Sequence, residues 1–288
     1  MTPHPIHFTD EPAPAVRRAL FDRAVDRFPK VFTRPEQVAD LFSRVTVPAS
    51  HRWIYTGNAK TGGSSVRRFL FEMEFGVPLT AALASPMDFN PDLVSQSLAA
   101  AGVFRPLSMI PNGLAVLDAG LRLTTARHPV GRALSSFNYL CRSHDAASPR
   151  LADDRLRMNA LVGFDWTADC DTAQGFAKFL DYVRQTDAEH ATWTADPHLR
   201  PQVRNVLPRV TRPAIIGRTE DLPAFCHAVA DALNQPLPAD WTEPRSNQQT
   251  YQTAPDTLLT KSNRALLRDV FAADFDWLKE EPDTWHPA

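Results

Sequence analysis

The chain is short of cysteine, glycine and lysine, and it holds no long apolar run. Its three cysteines, Cys141, Cys170 and Cys226, form no Cys-x-x-Cys pair, so the sequence supports neither a disulfide framework nor a zinc site. No segment approaches the ~18 apolar residues that a membrane-crossing helix needs. Met1 to Asp10 lacks the basic stretch followed by an apolar core that marks a secretory leader; a reducing, cytoplasmic setting is the expectation. Charge of one sign is lacking too: 31 Lys+Arg face 33 Asp+Glu, for a net charge of -2, unlike the strongly basic balance of a nucleic-acid-binding domain. Only 11 glycines occur in 288 residues, so the adjacent pair Gly62-Gly63 stands out. Only 5 of the 31 basic residues are lysines, which singles out each of them.

What is present is ordinary for a globular protein: 43% hydrophobic and 22% charged residues. The length suits one or two domains. The 25 prolines are scattered, which predicts long connections rather than one Pro-rich linker. Residues 1–48 read as a helical extension, with helices over 15–28 and 35–45, and residues 49–288 as a single main domain. Apolar, β-forming runs predict strands at 52–56, 121–126 and 214–217. Helical spacing predicts helices over 64–75, 91–101, 130–140, 172–184, 222–233 and 256–278. Residues 145–170 carry no clear period, and 236–254 read as a polar loop. Strands alternating with helices predict an α/β fold with a mostly parallel central sheet flanked by helices.

Two segments carry chemistry. The first is Lys60-Thr61-Gly62-Gly63-Ser64-Ser65, between a strand and a helix. Its glycines allow close backbone approach, its hydroxyls and Lys60 add donors, and the helix start adds free N–H groups and a dipole. Such a loop suits a phosphate-like anion. It is not the G-x-x-x-x-G-K-[ST] loop of nucleoside triphosphatases, because the lysine precedes the glycines. The nearest candidate for a magnesium-holding aspartate, Asp118, ends only a weak apolar run. The second segment is Arg127-His128-Pro129-Val130-Gly131-Arg132-Ala133-Leu134-Ser135. An arginine leaving a strand and a serine on the following helix can meet on one anion, and the carboxyl ends of parallel strands are where open α/β sheets bind ligands.

Together these segments resemble the sulfotransferases. The first looks like their 5′-phosphosulfate loop, the second like their 3′-phosphate motif, and the closer likeness is to the carbohydrate sulfotransferases and their bacterial relatives. Asp196-Pro197-His198-Leu199-Arg200-Pro201-Gln202 resembles a His-x-x-Pro-Gln segment of that family. Gly217 to Leu222 resembles its Gly-x-x-Glu-x-Leu segment, and Asn247 through Asp274-Phe275 its C-terminal loop and helix. The ordered likeness spans about residues 52–280.

The resemblance implies a P-loop-type fold and transfer of a sulfuryl group from 3′-phosphoadenosine-5′-phosphosulfate to an acceptor hydroxyl, with a saccharide as the family-level acceptor and no metal. Lys60 is implied at the leaving phosphate, Thr61, Gly62, Gly63, Ser64 and Ser65 around it, Arg127 and Ser135 at the 3′-phosphate, and Asn247 closing over the nucleotide. A base must take the acceptor's proton. Some relatives carry a Gly-His-Phe-like segment before the strand that ends in the motif arginine, whereas 104–110 here holds no histidine. His198 is the first candidate, followed by His144 and Asp88. Two alternatives remain open on sequence: a kinase or nucleotide hydrolase, and a nucleotide-binding relative without turnover.

Overall fold

Side chains alternate along the strand Trp53–Thr56, with Trp53 and Tyr55 packed into one core and Ile54 into another, because successive strand residues point to opposite faces. The computed structural model describes residues 7–8, 11–81, 83, 93–188, 194–238 and 254–285. The strands are β1 (Val45–Pro48), β2 (Trp53–Thr56), β3 (Phe104–Pro106), β4 (Leu121–Ala126) and β5 (Ile215–Arg218). The helices of the first half are α1 (Pro14–Arg27), α2 (Pro35–Arg44), α3 (Gly63–Phe75), α4 (Val94–Ala100), α5 (Gly113–Ala119) and α6 (Pro129–Asp145). Those of the second half are α7 (Ala152–Val162), α8 (Ala173–Asp187), α9 (Gln202–Val206), α10 (Pro208–Thr211), α11 (Leu222–Ala232), α12 (Pro255–Leu258), α13 (Lys261–Val270) and α14 (Ala272–Leu278). The chain divides into two units: 1–58, 62–126 and 206–246 in one, and 59–61, 127–205 and 247–288 in the other.

The first unit is an α/β sandwich on a five-stranded sheet ordered β3-β1-β2-β4-β5. The pairs β2–β4 and β4–β5 are parallel, as the alternation of strands and helices predicts. β1 adds an antiparallel half, pairing with β2 and β3. Only residues 49–52 join β1 to β2, and so short a link permits only an antiparallel return. One face is covered by α3, α4 and α11 through Val66, Phe69, Leu70, Leu98, Phe225 and Val229. The other is covered by α1, α2 and α5 through Leu20, Val38, Leu41, Phe42 and Val116. The helical lead-in thus builds half the core of this unit. Arg27 reinforces it with a bidentate pair to Asp118, at 2.8 Å on both arms.

β1 and β3 escape a sequence reading because they are four and three residues long, and each ends in proline. In the second unit α6 meets α8 at Phe137, whose ring lies 5.4 Å from that of Phe176 and 5.6 Å from that of Phe179, and α7, α12 and α13 pack on α8. α7 lies within the stretch that reads as irregular. Only Asp154 and Met158 of its eleven residues are buried, and exposed Leu156 and Leu161 blur its period.

Candidate functional site

β2 and β4 run parallel and end at the same sheet edge, Thr56 beside Thr124. Tyr55 Oη lies 2.8 Å from Thr125 Oγ1, and the Asn58 side chain donates to the Thr125 carbonyl at 3.0 Å. The loop after β2 begins from this fixed edge. Gly62 sits at φ +76°, and a Cβ there would stand 3.1 Å from a Leu222 methyl; both facts favour glycine. Lys60 also takes a left-handed backbone, φ 66, an uncommon conformation for a residue with a side chain and one that clusters at ligand sites. α3 starts at Gly63, and the first backbone bond that returns to the cap comes from Val66 N to Gly62 O. The N–H groups of Gly63, Ser64 and Ser65 therefore have no acceptor within the helix ladder.

In the second unit, α6 carries the arrangement. His128 caps it: Nδ1 accepts from Val130 N at 3.3 Å, and Nε2 lies 3.1 Å from the Glu281 carbonyl. His128 is thereby a helix-end residue. Pro129 fills the first turn, where a missing N–H costs nothing. Arg132, Ser136 and Tyr139 follow at i, i+4 and i+7, which places them on one face. Arg132 is almost fully buried. Its Nε donates to the Ala59 carbonyl at 3.1 Å and its Nη2 to the Pro197 carbonyl at 2.9 Å. One guanidinium thus holds the residues just before Lys60 and His198. Ser136 donates to the His198 carbonyl at 2.5 Å. The Tyr139 ring receives the Lys60 ammonium 4.2 Å from its centroid and stacks on the His198 ring at 5.1 Å and 23°.

His198 donates from Nδ1 to Asp196 Oδ1 at 2.6 Å, and its backbone N–H donates to the same oxygen at 2.8 Å. Arg150 Nη2 lies 3.2 Å from Nδ1 and 3.5 Å from Nε2. With the Nδ1 proton committed to Asp196, Nε2 carries the lone pair. Burial lowers the His198 pKa; hydrogen bonding and charge from Asp196 oppose this, while Arg150 and Lys60 push the same way as burial. The imidazole is therefore neutral at pH 7. For Asp196, burial is the largest single influence and acts upward, but the His198 bond and charge, with Arg150, outweigh it, and the carboxyl sits below its ordinary value. Lys60 is lowered to about 7, first by burial and then by the charges of Arg127, Arg142, Arg132 and Arg150. Such a concentration of positive charge suits a multiply charged anion.

Arg127 leaves β4 with its backbone bracketed by Gln202: its N–H donates to Gln202 Oε1 at 3.0 Å, and its carbonyl accepts from Nε2 at 2.8 Å. Gln202 is fixed in turn by Asp274, whose carboxylate accepts from Gln202 N and Val203 N, both at 2.8 Å. The Pro-Gln segment and the Asp-Phe helix are thus scaffolding for Arg127. Ser135 is buried on α6. His144 lies nine residues beyond Ser135, on the opposite face of the helix, with its ring 5.2 Å from that of Trp166; it does not join the Lys60–Tyr139–His198 group. Asp88 and Asn247 lie outside the described residues. Sequence reasoning did not single out Arg132, Tyr139, Arg150, Gln202 or Asp274 as site-forming. The i, i+4, i+7 spacing on α6 was the signal for Arg132 and Tyr139; nothing local marks the others.

Among the described residues no helix is long and apolar enough to cross a membrane. No curated protein and no solved structure gave a match. A family model described as the sulfotransferase family matches residues 105–277, a span that takes in Arg127, α6, His198 and Asp274. Over that span, more than half of its length, the chain carries the family's pattern: it belongs to the sulfotransferase family and is a transferase of sulfuryl groups.

Proposed function

We propose that the chain moves a sulfuryl group from 3′-phosphoadenosine-5′-phosphosulfate to a hydroxyl of a saccharide, with His198 as the base. The observation that carries the reading is the Tyr139 ring, which holds the Lys60 ammonium and the His198 imidazole together. The residues suit such a donor: one lysine and four arginines interact within one unit, and a phosphate-bearing ligand would relieve their mutual repulsion. The donor supplies an activated sulfuryl group on a phosphate leaving group. Lys60 balances charge on that phosphate, aided by Thr61, Gly62, Gly63, Ser64 and Ser65, which follow it in the loop. Arg127 and Ser135 hold the 3′-phosphate, Arg127 as a fork matched to phosphate oxygens. His198 takes the acceptor's proton at Nε2, and Asp196 steadies the imidazolium that results. The saccharide rests on the resemblance to the carbohydrate sulfotransferases.

Calorimetry with adenosine 3′,5′-bisphosphate, without magnesium and with ATP and 5′-AMP as controls, tests the donor. Tight bisphosphate binding, weak AMP binding and loss of binding in Arg127→Ala are expected. Magnesium-dependent ATP binding in its place would mean a kinase-like site. Bisphosphate binding without sulfate transfer to any of a panel of saccharides would mean a nucleotide-binding relative that lacks turnover.

A further inference from the structure

On α6 the residues Ser135, Asn138 and Arg142 recur at i, i+3 and i+7, so they share one side of the helix. This side adjoins the face of Arg132 and Tyr139, and Arg142 contributes to the charge that Lys60 feels. Asn138 sits in the middle of the row and is 4% exposed. Both polar atoms of its side chain, Oδ1 and Nδ2, are sealed from solvent and have no hydrogen-bond partner. A buried amide with neither its acceptor nor its donor satisfied is costly, and native proteins rarely keep one without a use. A leucine or methionine of similar size would fill the same space without that cost.

We propose that Asn138 is a further donor-binding residue, its amide pairing with the ribose 2′-hydroxyl of the nucleotide whose 3′-phosphate rests on Ser135. The inference rests on the donor reading given above. The chemistry is matched on both sides. Asn138 offers one carbonyl and one NH2 group, and a hydroxyl can give a proton to the first while accepting one from the second. In a 3′-phosphorylated nucleoside, the group beside the phosphate that both donates and accepts is that 2′-hydroxyl. A residue one helical turn from Ser135 is placed to meet it. Discrimination follows from the same physics: a nucleotide without the hydroxyl would leave the buried amide unpaired, and sites built this way reject such analogues strongly.

The test measures adenosine 3′,5′-bisphosphate and its 2′-deoxy analogue by calorimetry on the full chain, as wild type, Asn138→Ala and Asn138→Leu, with the melting temperature of each protein without nucleotide. Wild type is expected to bind the 2′-deoxy analogue about tenfold more weakly. Both variants should lose about tenfold in affinity for the bisphosphate and make no distinction between the two nucleotides. Asn138→Leu should melt no lower than wild type, because it removes an unpaired buried amide; a merely structural asparagine would lower the melting temperature when replaced. Variants that bind the bisphosphate as wild type does, or that keep the preference for the 2′-hydroxyl, overturn the proposal. A wild type that binds no bisphosphate overturns the donor reading itself, and this assignment with it.

Discussion

The most informative perturbation is a proton at Lys60. Its pKa of about 7, against 10.5 for an ordinary lysine, corresponds to ~5 kcal/mol at 1.36 kcal/mol per unit. A phosphate that neutralises the arginines raises the lysine's pKa back toward its ordinary value. At pH 8 the ligand-free site holds ~0.1 proton and the bound site more, so binding takes up part of a proton, at most ~0.9. The sign follows: the bound state holds more protons, so affinity falls as pH rises above 7, by at most about tenfold per unit. The 3′-phosphate, with its second pKa near about 6, is already dianionic over this range. Calorimetry at pH 8 in two buffers of different ionisation enthalpy reads the uptake directly. Lys60→Met should bind without it. Equal apparent enthalpies in both buffers for wild type, or equal uptake in Lys60→Met, would refute the reasoning. The same shift has a signature without nucleotide. The unfolded chain binds the extra proton between about pH 7 and 10.5, so Lys60 makes folding more favourable as pH rises through that window.

Four further outcomes are expected. His198→Ala should lower kcat by about 10²–10⁴-fold while leaving bisphosphate affinity within about twofold; the acid limb of the wild-type rate profile should lie below the ordinary histidine value, in keeping with the lowered His198 pKa, and vanish in the variant. Arg132→Met removes the bonds to the Ala59 and Pro197 carbonyls and should cost ~2–4 kcal/mol in chemical denaturation, with Arg132→Lys recovering only part because it lacks the fork. Gln202→Ala frees both sides of the Arg127 peptide and should weaken bisphosphate binding about tenfold with little change in the kcat of saturated enzyme. His144→Ala should leave kcat and KM within about twofold, since the ring faces Trp166.

The parts legible in sequence share a short-range signature. The loop at residues 60–65 could be read because glycine is scarce and Gly62-Gly63 falls between a β-rich run and an amphipathic one. β4 could be read because its six residues form a Leu- and Thr-bearing, β-forming run that stops before Arg127. His198 stood out through its flanking prolines and Gln202, although nothing there announced Asp196 as its partner. Other features depend on tertiary structure. Asp274 reaches Gln202 across 72 residues, and no local pattern encodes that distance. Arg150 lies in a stretch without periodicity. The antiparallel pairing of β1 was hidden because a four-residue strand ending in Pro48 resembles a turn.

α6 also acts as a gauge. Arg132, Ser136 and Tyr139 are spaced along one rigid rod at 1.5 Å per residue, so the separation of ammonium from imidazole is set by counting residues rather than by the lie of a loop. Such a gauge tolerates changes of side chain far better than changes of number. One residue inserted between Arg132 and Tyr139 would swing everything beyond it by about 100°. The Tyr139 ring would then turn away from Lys60 and His198, although every residue named here would still be present in the sequence.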